Sequence, residues 1–255
     1  MIRMTGKLAA VAILAATAGV FSLVWADVAS PRPRWTTVRM ESETVNITLG
    51  EKRVQVEAVF RMYNDGNDAS VRMGYPLGLF EDVLNEFAVT VDDQQVKDVG
   101  TEDGAGAAGP SWPVGGGSLK GGRGGSAESY RFEGPYKQWK VWNVPMKSNQ
   151  ERVVKVTYWV KPAQLKDAEK GELLYYAYTL RTGATWKGKI NEAVVTLTLD
   201  GVKSDRIVRR SPTGFELAEN GKLTTWKMRD FKPTDDIEIV YRAATGTQIA
   251  RTDGR

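Results

Sequence analysis

The chain has 255 residues, 42% of them apolar and 26% charged, with a formal charge of +4. That composition is globular rather than disordered, and the length accommodates one or two domains. There is no cysteine and no histidine, which excludes Ser-His and Cys-His catalysis, the common zinc sites, haem attachment and any disulfide framework; no cofactor is implied.

The N-terminus reads as an export signal. Arg3 and Lys7 form a short basic region, Leu8 to Val24 are apolar and small, and Val24-Trp25-Ala26 supplies a small-x-small cleavage pattern. Residues 1–26 are therefore expected to be removed after Ala26, the alternative being an uncleaved anchor of about 20 apolar residues, the only membrane contact the sequence suggests. Removal takes away Arg3 and Lys7 and lowers the formal charge to +2. Nearly balanced charge without a long basic run does not point to nucleic acid. An exported chain without disulfides fits a bacterial secreted or periplasmic setting.

The mature chain is dominated by period-two alternation, the spacing of strands. Val45, Ile47 and Leu49 alternate with polar neighbours, and Val54, Val56, Ala58, Phe60 and Met62 follow the Gly50-Glu51 turn, which predicts a hairpin. Asn64-Asp65-Gly66 is a turn, Val71 to Tyr75 is extended up to Pro76, and Phe87, Val89 and Val91 lead through Asp92-Asp93 into Val96 and Val99 as a second hairpin. Residues 100–126 hold 11 of the 26 glycines and few large side chains, so they are expected to form a flexible loop. Their Gly115-Gly116-Gly117-Ser118-Leu119-Lys120 run lacks the Gly-Lys-Ser/Thr ending of a phosphate loop.

Strand pattern returns at Ser129 to Phe132, Gln138 to Val144 and Val154 to Val160. Residues 162–171, opening on Pro162 and closing on Gly171, have helix-forming composition and are expected to be a short helical connector between two halves. Beyond it, alternation recurs at Leu174 to Leu180, Ala193 to Leu199, Ile207 to Arg209, Phe215 to Leu217, Leu223 to Met228 and Ile237 to Tyr241, with Asn220-Gly221 as a two-residue hairpin turn. The expected fold is all-β, two sandwich-like halves of mainly antiparallel strands over residues 36–161 and 172–243, with a disordered tail at 244–255.

Thr182-Gly183-Ala184-Thr185-Trp186-Lys187-Gly188-Lys189-Ile190, followed by a strand at Glu192 to Leu199, resembles a signature of secreted bacterial proteins grouped as a β-rich domain of unknown function. Trp226-Lys227-Met228-Arg229-Asp230-Phe231-Lys232-Pro233-Thr234-Asp235-Asp236-Ile237 looks like its companion. Tyr63-Asn64-Asp65-Gly66, Gly74-Tyr75-Pro76 and Phe87-Ala88-Val89-Thr90-Val91-Asp92 fit its front. The resemblance spans most of residues 40–243 and implies an exported, mostly β protein with no established activity, the glycine-rich segment being an insertion. It carries over no catalytic residue. On physical grounds Gly183 turns the chain, Trp186 covers one end of the sandwich, Gly188 brings backbone close, and Trp226, Pro233 and Asp236 belong to a strand and the turn after it. These signature residues read as structural.

Two carboxylates would suffice for glycoside hydrolysis. However, Asp92-Asp93 and Asp235-Asp236 are adjacent pairs at strand ends, better explained as turns, and Asp65, Asn67 and Asp68 lack calcium-loop spacing, so no metal site is proposed. The aromatic segment is the stronger lead. Trp139 and Trp142 sit at odd spacing on one strand and so face opposite sides, with Tyr136, Lys137 and Lys140 available for hydrogen bonds. An exposed indole there would stack on a sugar or anchor a protein, although a strand buried on both faces would show the same pairing. The functional expectation is an exported, non-catalytic binding or structural module of the bacterial envelope with an envelope protein or glycan as partner, the alternative being a carbohydrate-active enzyme.

Overall fold

The computed structural model describes residues 37–77, 84–103, 105–106, 133–134, 138–167 and 171–244. In chain order the strands begin with Val38–Leu49 (β1), Val54–Asn64 (β2), Ala69–Leu77 (β3), Asn85–Val91 (β4), Gln94–Gln95 (β5) and Gly100–Asp103 (β6). Ala105–Gly106 (β7), Glu133–Gly134 (β8), Gln138–Met146 (β9), Gln150–Val160 (β10), Ala163–Asp167 (β11) and Gly171–Tyr178 (β12) follow. Ile190–Leu199 (β13), Ile207–Ser211 (β14), Glu216–Ala218 (β15), Leu223–Phe231 (β16) and Ile237–Arg242 (β17) complete them. The chain is nearly all β and its sheets are mainly antiparallel, as period-two alternation requires.

The first hairpin forms with Leu49 opposite Val54 and Ile47 opposite Val56, so the alternating apolar sets of both strands share one face. Gly50 closes it at a position where a Cβ would lie 2.9 Å from the Arg53 carbonyl. A bulge between Met40 and Ser42 shifts the alternation, so that Val38 and Met40 and then Glu43, Val45, Ile47 and Leu49 are all buried. The second hairpin turns on Asp92 and Asp93, both at positive φ (49° and 63°). The Asn220-Gly221 turn is longer than expected, a 3-10 turn over Glu219–Gly221 with three consecutive positive φ angles.

The two halves do not fold apart. One eight-stranded sheet runs β15-β16-β13-β1-β2-β10-β4-β5, joined across its middle by parallel pairing of β1 with β13. A four-stranded sheet, β11-β12-β17-β14, and a three-stranded sheet, β3-β9-β6, accompany it, and β7 pairs with β8. Their buried side chains form one contiguous cluster. Tyr158 of the large sheet lies with its hydroxyl 3.5 Å from that of Tyr176 in the four-stranded sheet and its ring 5.4 Å from Tyr75 in the three-stranded sheet. A shared core of this kind is one packing unit.

Two expectations are corrected. The segment read as a helical connector is strand β11, antiparallel to β12 with Leu165 opposite Leu173. Helix propensity over so few residues is a weak preference, and the edge of β12 offers backbone partners that a two-turn helix would leave unmet. The glycine-rich segment also begins as a strand, since β6 pairs with β9 from Gly100 opposite Val141 to Asp103 opposite Gln138. Its stretch 107–126, the signal segment 1–26 and the tail from 245 onward lie outside the described residues.

Candidate functional site

The β9 register places Trp142 opposite Met73 and Trp139 opposite Pro76, on opposite faces as the odd spacing requires. Neither indole is presented to solvent, with exposures of 1% for Trp139 and 2% for Trp142. Trp142 packs with the core, its ring centroid 6.3 Å from that of Phe87. Lys140 donates to Thr101 Oγ1 of β6 at 2.9 Å, and Tyr136 and Lys137 lie outside the described residues. The exposed-indole reading therefore gives way to packing, because both indoles are buried on the middle strand of the sheet although Asn143 and Pro145 further along it are exposed.

The signature motifs form a corner between sheets. After Leu180 the chain makes a 3-10 turn, Arg181–Thr185, with Gly183 buried in it. Trp186, 2% exposed, joins the core, and the Lys187 amide donates to the Val38 carbonyl at 3.1 Å. Gly188 has φ +73° and nothing within 4 Å of a Cβ built there, so backbone angle rather than close approach requires glycine. Trp226 donates from Nε1 to the Pro212 carbonyl at 2.9 Å, and Pro233 is buried in the turn after β16.

The two motifs meet through a residue the sequence reading did not single out. Arg181 donates from Nε and Nη2 to Asp236 Oδ2 at 2.9 and 2.6 Å, and its amide donates to Oδ1 at 3.2 Å. Burial pushes the Asp236 carboxyl up and the guanidinium pulls it back, leaving it raised. The front motif joins the same assembly. Lys187 Nζ bonds Asp65 at 2.7 and 2.8 Å, while buried Asn64 donates to the Asn67 and Lys147 carbonyls and accepts from Thr37 Oγ1 and the Gly66 amide. These hydrogen bonds give the motif residues structural roles.

Of the adjacent acids, Asp92 accepts from Arg152 Nη1 at 2.6 Å and the Val153 amide at 2.8 Å, and Asp235 is exposed. A third acid was not singled out. Glu43 is fully buried on β1, with Oε1 accepting from Tyr178 at 2.9 Å and Oε2 without a partner among the described residues. Desolvation raises its pKa to about 8, against which the Tyr178 hydrogen bond works. At neutral pH it is a protonated acid inside the core. Its position was readable in principle, being two residues before Val45 on the buried parity.

Concavity lies elsewhere. Asp68, Ala69, Ser70, Pro145, Met146, Lys147, Gln150 and Arg152 line a groove of about 640 Å³ where β3, β9 and β10 come together. That volume lies within the roughly 300–1,000 Å³ of small-molecule sites. Arg152 is steadied from Nε by the Pro145 carbonyl at 3.2 Å and through Nη1 by Asp92. Gln150 Oε1 accepts from the Lys147 amide, and Asp68 Oδ1 from the Ser148 amide, both at 2.7 Å. Register, not local sequence, assembles these residues, which individually look like solvated turn positions.

No family model and no curated protein matches the chain. Among solved structures, it is similar to a Legionella pneumophila protein named as a candidate nutrient-binding protein, at 14% identity and a TM-score of 0.61, over 86% of this chain and 72% of that one. It also overlaps an M1 zinc metallopeptidase of Deinococcus radiodurans at 12% identity and a TM-score of 0.40, over 81% of this chain and 42% of that one. The first likeness shows a shared fold; the second is too slight to argue from.

Proposed function

We propose that the chain is an exported, non-catalytic binding module of the bacterial cell envelope, with the groove between β3, β9 and β10 as its ligand site. The observation that carries this reading is the groove itself, a concavity of small-molecule size where several polar side chains converge beside the apolar Ala69, Pro145 and Met146. The name given to the Legionella protein of the same fold supports a binding role. Export rests on the Leu8 to Ala26 pattern.

Thermal melting of the exported chain against a panel of amino acids, sugars, small carboxylates and cell-wall glycan fragments tests the reading. At least one class is expected to raise the midpoint, with the rise lost in Lys147→Glu, since a ligand that binds only the native state stabilises it. A panel that leaves the midpoint unmoved throughout overturns it. N-terminal sequencing is expected to begin at Asp27, and intact Met1 in the membrane fraction would replace cleavage by an anchor.

A further inference from the structure

Resting on that binding reading, we propose that the groove selects a small zwitterion, a free amino acid with an apolar side chain. The groove's lining carries charges of both signs, Asp68 with Lys147 and Arg152. Ala69, the first residue of β3, pairs with Met146, the last of β9, and the residues just beyond that pair, Asp68 and Lys147, both line the groove. No ion pair joins Asp68 to Lys147 among the described residues. Asp68 commits Oδ1 to the Ser148 amide, and its Oδ2 holds no partner among the described residues.

The donors show the same division. Arg152 spends Nη1 on Asp92 and Nε on the Pro145 carbonyl, and Gln150 spends its oxygen on the Lys147 amide; among the described residues Arg152 Nη2, Gln150 Nε2, Lys147 Nζ and Ser70 Oγ hold no partner. The groove thus offers a carboxylate, two cationic donors, an amide donor and a hydroxyl beside the apolar Ala69, Pro145 and Met146. A ligand carboxylate suits Lys147 and Arg152, and a ligand ammonium suits Asp68. A simple anion would leave Asp68 as a repulsive neighbour, and a simple cation would face Lys147. Only a molecule bearing both charges within a few bonds meets both, which makes each unmatched group a means of rejecting the wrong ligand.

Isothermal titration of the exported chain with L-leucine, N-acetyl-L-leucine and L-leucinamide tests the proposal. L-leucine is expected to bind, and each blocked derivative to bind about tenfold or more weakly, the effect of losing one charged hydrogen-bonded contact. Asp68→Asn is expected to abolish the penalty for N-acetylation, and Lys147→Met, with Arg152 intact, to reduce the penalty for amidation. Equal affinity for the three compounds, or penalties that both variants leave unchanged, overturns the zwitterion assignment. So does absence of leucine binding when another class in the wider panel shifts the midpoint, an outcome that leaves the binding reading standing. Silence across the whole panel removes both.

Discussion

Glu43 and Asp236 are both carboxyls taken out of water, and the molecule treats them in opposite ways. Asp236 sits at the corner between the signature motifs and receives a guanidinium through two hydrogen bonds plus a backbone amide. Glu43 sits inside the sandwich with one tyrosine hydroxyl and no cation. Both carboxyls are raised by burial, Glu43 to about 8 with only a tyrosine working against the rise, Asp236 with the Arg181 guanidinium working against it. Burying a charge is costly unless it is paired, and a group with no partner takes up a proton instead. The corner, with Arg181 at 30% side-chain exposure, can hold an ion pair; the interior, lined by residues such as Phe60 and Ala193 opposite Glu43, holds a neutral acid.

The largest effect should come from opening the corner. Trp186 follows the turn that carries Arg181 and is fully within the core, so Trp186→Ala is expected to cost about 3–5 kcal/mol through the cavity it leaves. Chemical denaturation reads the loss. A midpoint like wild type would mean that the ion pair alone holds the corner, and the contrast with the interior would then be one of charge without packing.

Next comes Arg181→Met, which strands Asp236 beside an apolar chain and is expected to cost about 3 kcal/mol at neutral pH. Its sign with pH is diagnostic. The Asp236 carboxyl rises further without its guanidinium, so the cost shrinks as acid protonates the group and grows as pH climbs through the new value. The double variant Arg181→Met, Asp236→Asn should recover part of the loss, as removing both charges of a pair does. Failure to recover would show that Arg181 matters by packing.

Glu43 shows the same direction without any substitution. Its folded pKa of about 8 stands above the usual 4.5, so the stability tied to the proton is fully present below pH 4.5 and is lost as pH rises toward about 8. The loss runs at about 1.4 kcal/mol per pH unit for a single proton difference. Glu43→Gln keeps the shape, removes the proton and should flatten that slope, making the variant more stable than wild type in alkali. Parallel stability curves for the two proteins between pH 5 and 8, chosen to lie inside that window, would mean that Glu43 is ionised and paired like Asp236.

The contrast also marks what alternation can say. Strands β1, β2, β10 and β13 were legible because one face of each is apolar at period two. The same rule counted Val45, Ile47 and Leu49 and stopped at Glu43, since a carboxyl breaks the apolar series even where geometry continues it. Trp139 and Trp142 were correctly set on opposite faces, but their burial depends on neighbours in space. Likewise the parallel pairing of β1 with β13, the strand at 163–167, and the convergence of Asp68, Lys147 and Arg152 on one groove are decided by contacts between distant segments. Arg181 and Asp236 are 55 residues apart, and nothing local announces them as a pair.

The smallest effect sharpens the comparison by supplying a control. Gly188 lies at the corner two residues after Trp186, at φ +73° with open space around the missing Cβ. Gly188→Ala therefore adds no clash and strands no charge. It adds only the strain of a left-handed backbone, about 1 kcal/mol. That cost should be independent of pH, unlike those at Arg181 and Glu43, and Gly188→Asn should incur less of it because asparagine tolerates the left-handed region. Melting the alanine variant at two pH values on either side of neutrality checks this. A pH-dependent loss would mean that the turn at Gly188 sets the Arg181–Asp236 geometry, and the corner would then owe its ion pair to backbone conformation as well as to the guanidinium.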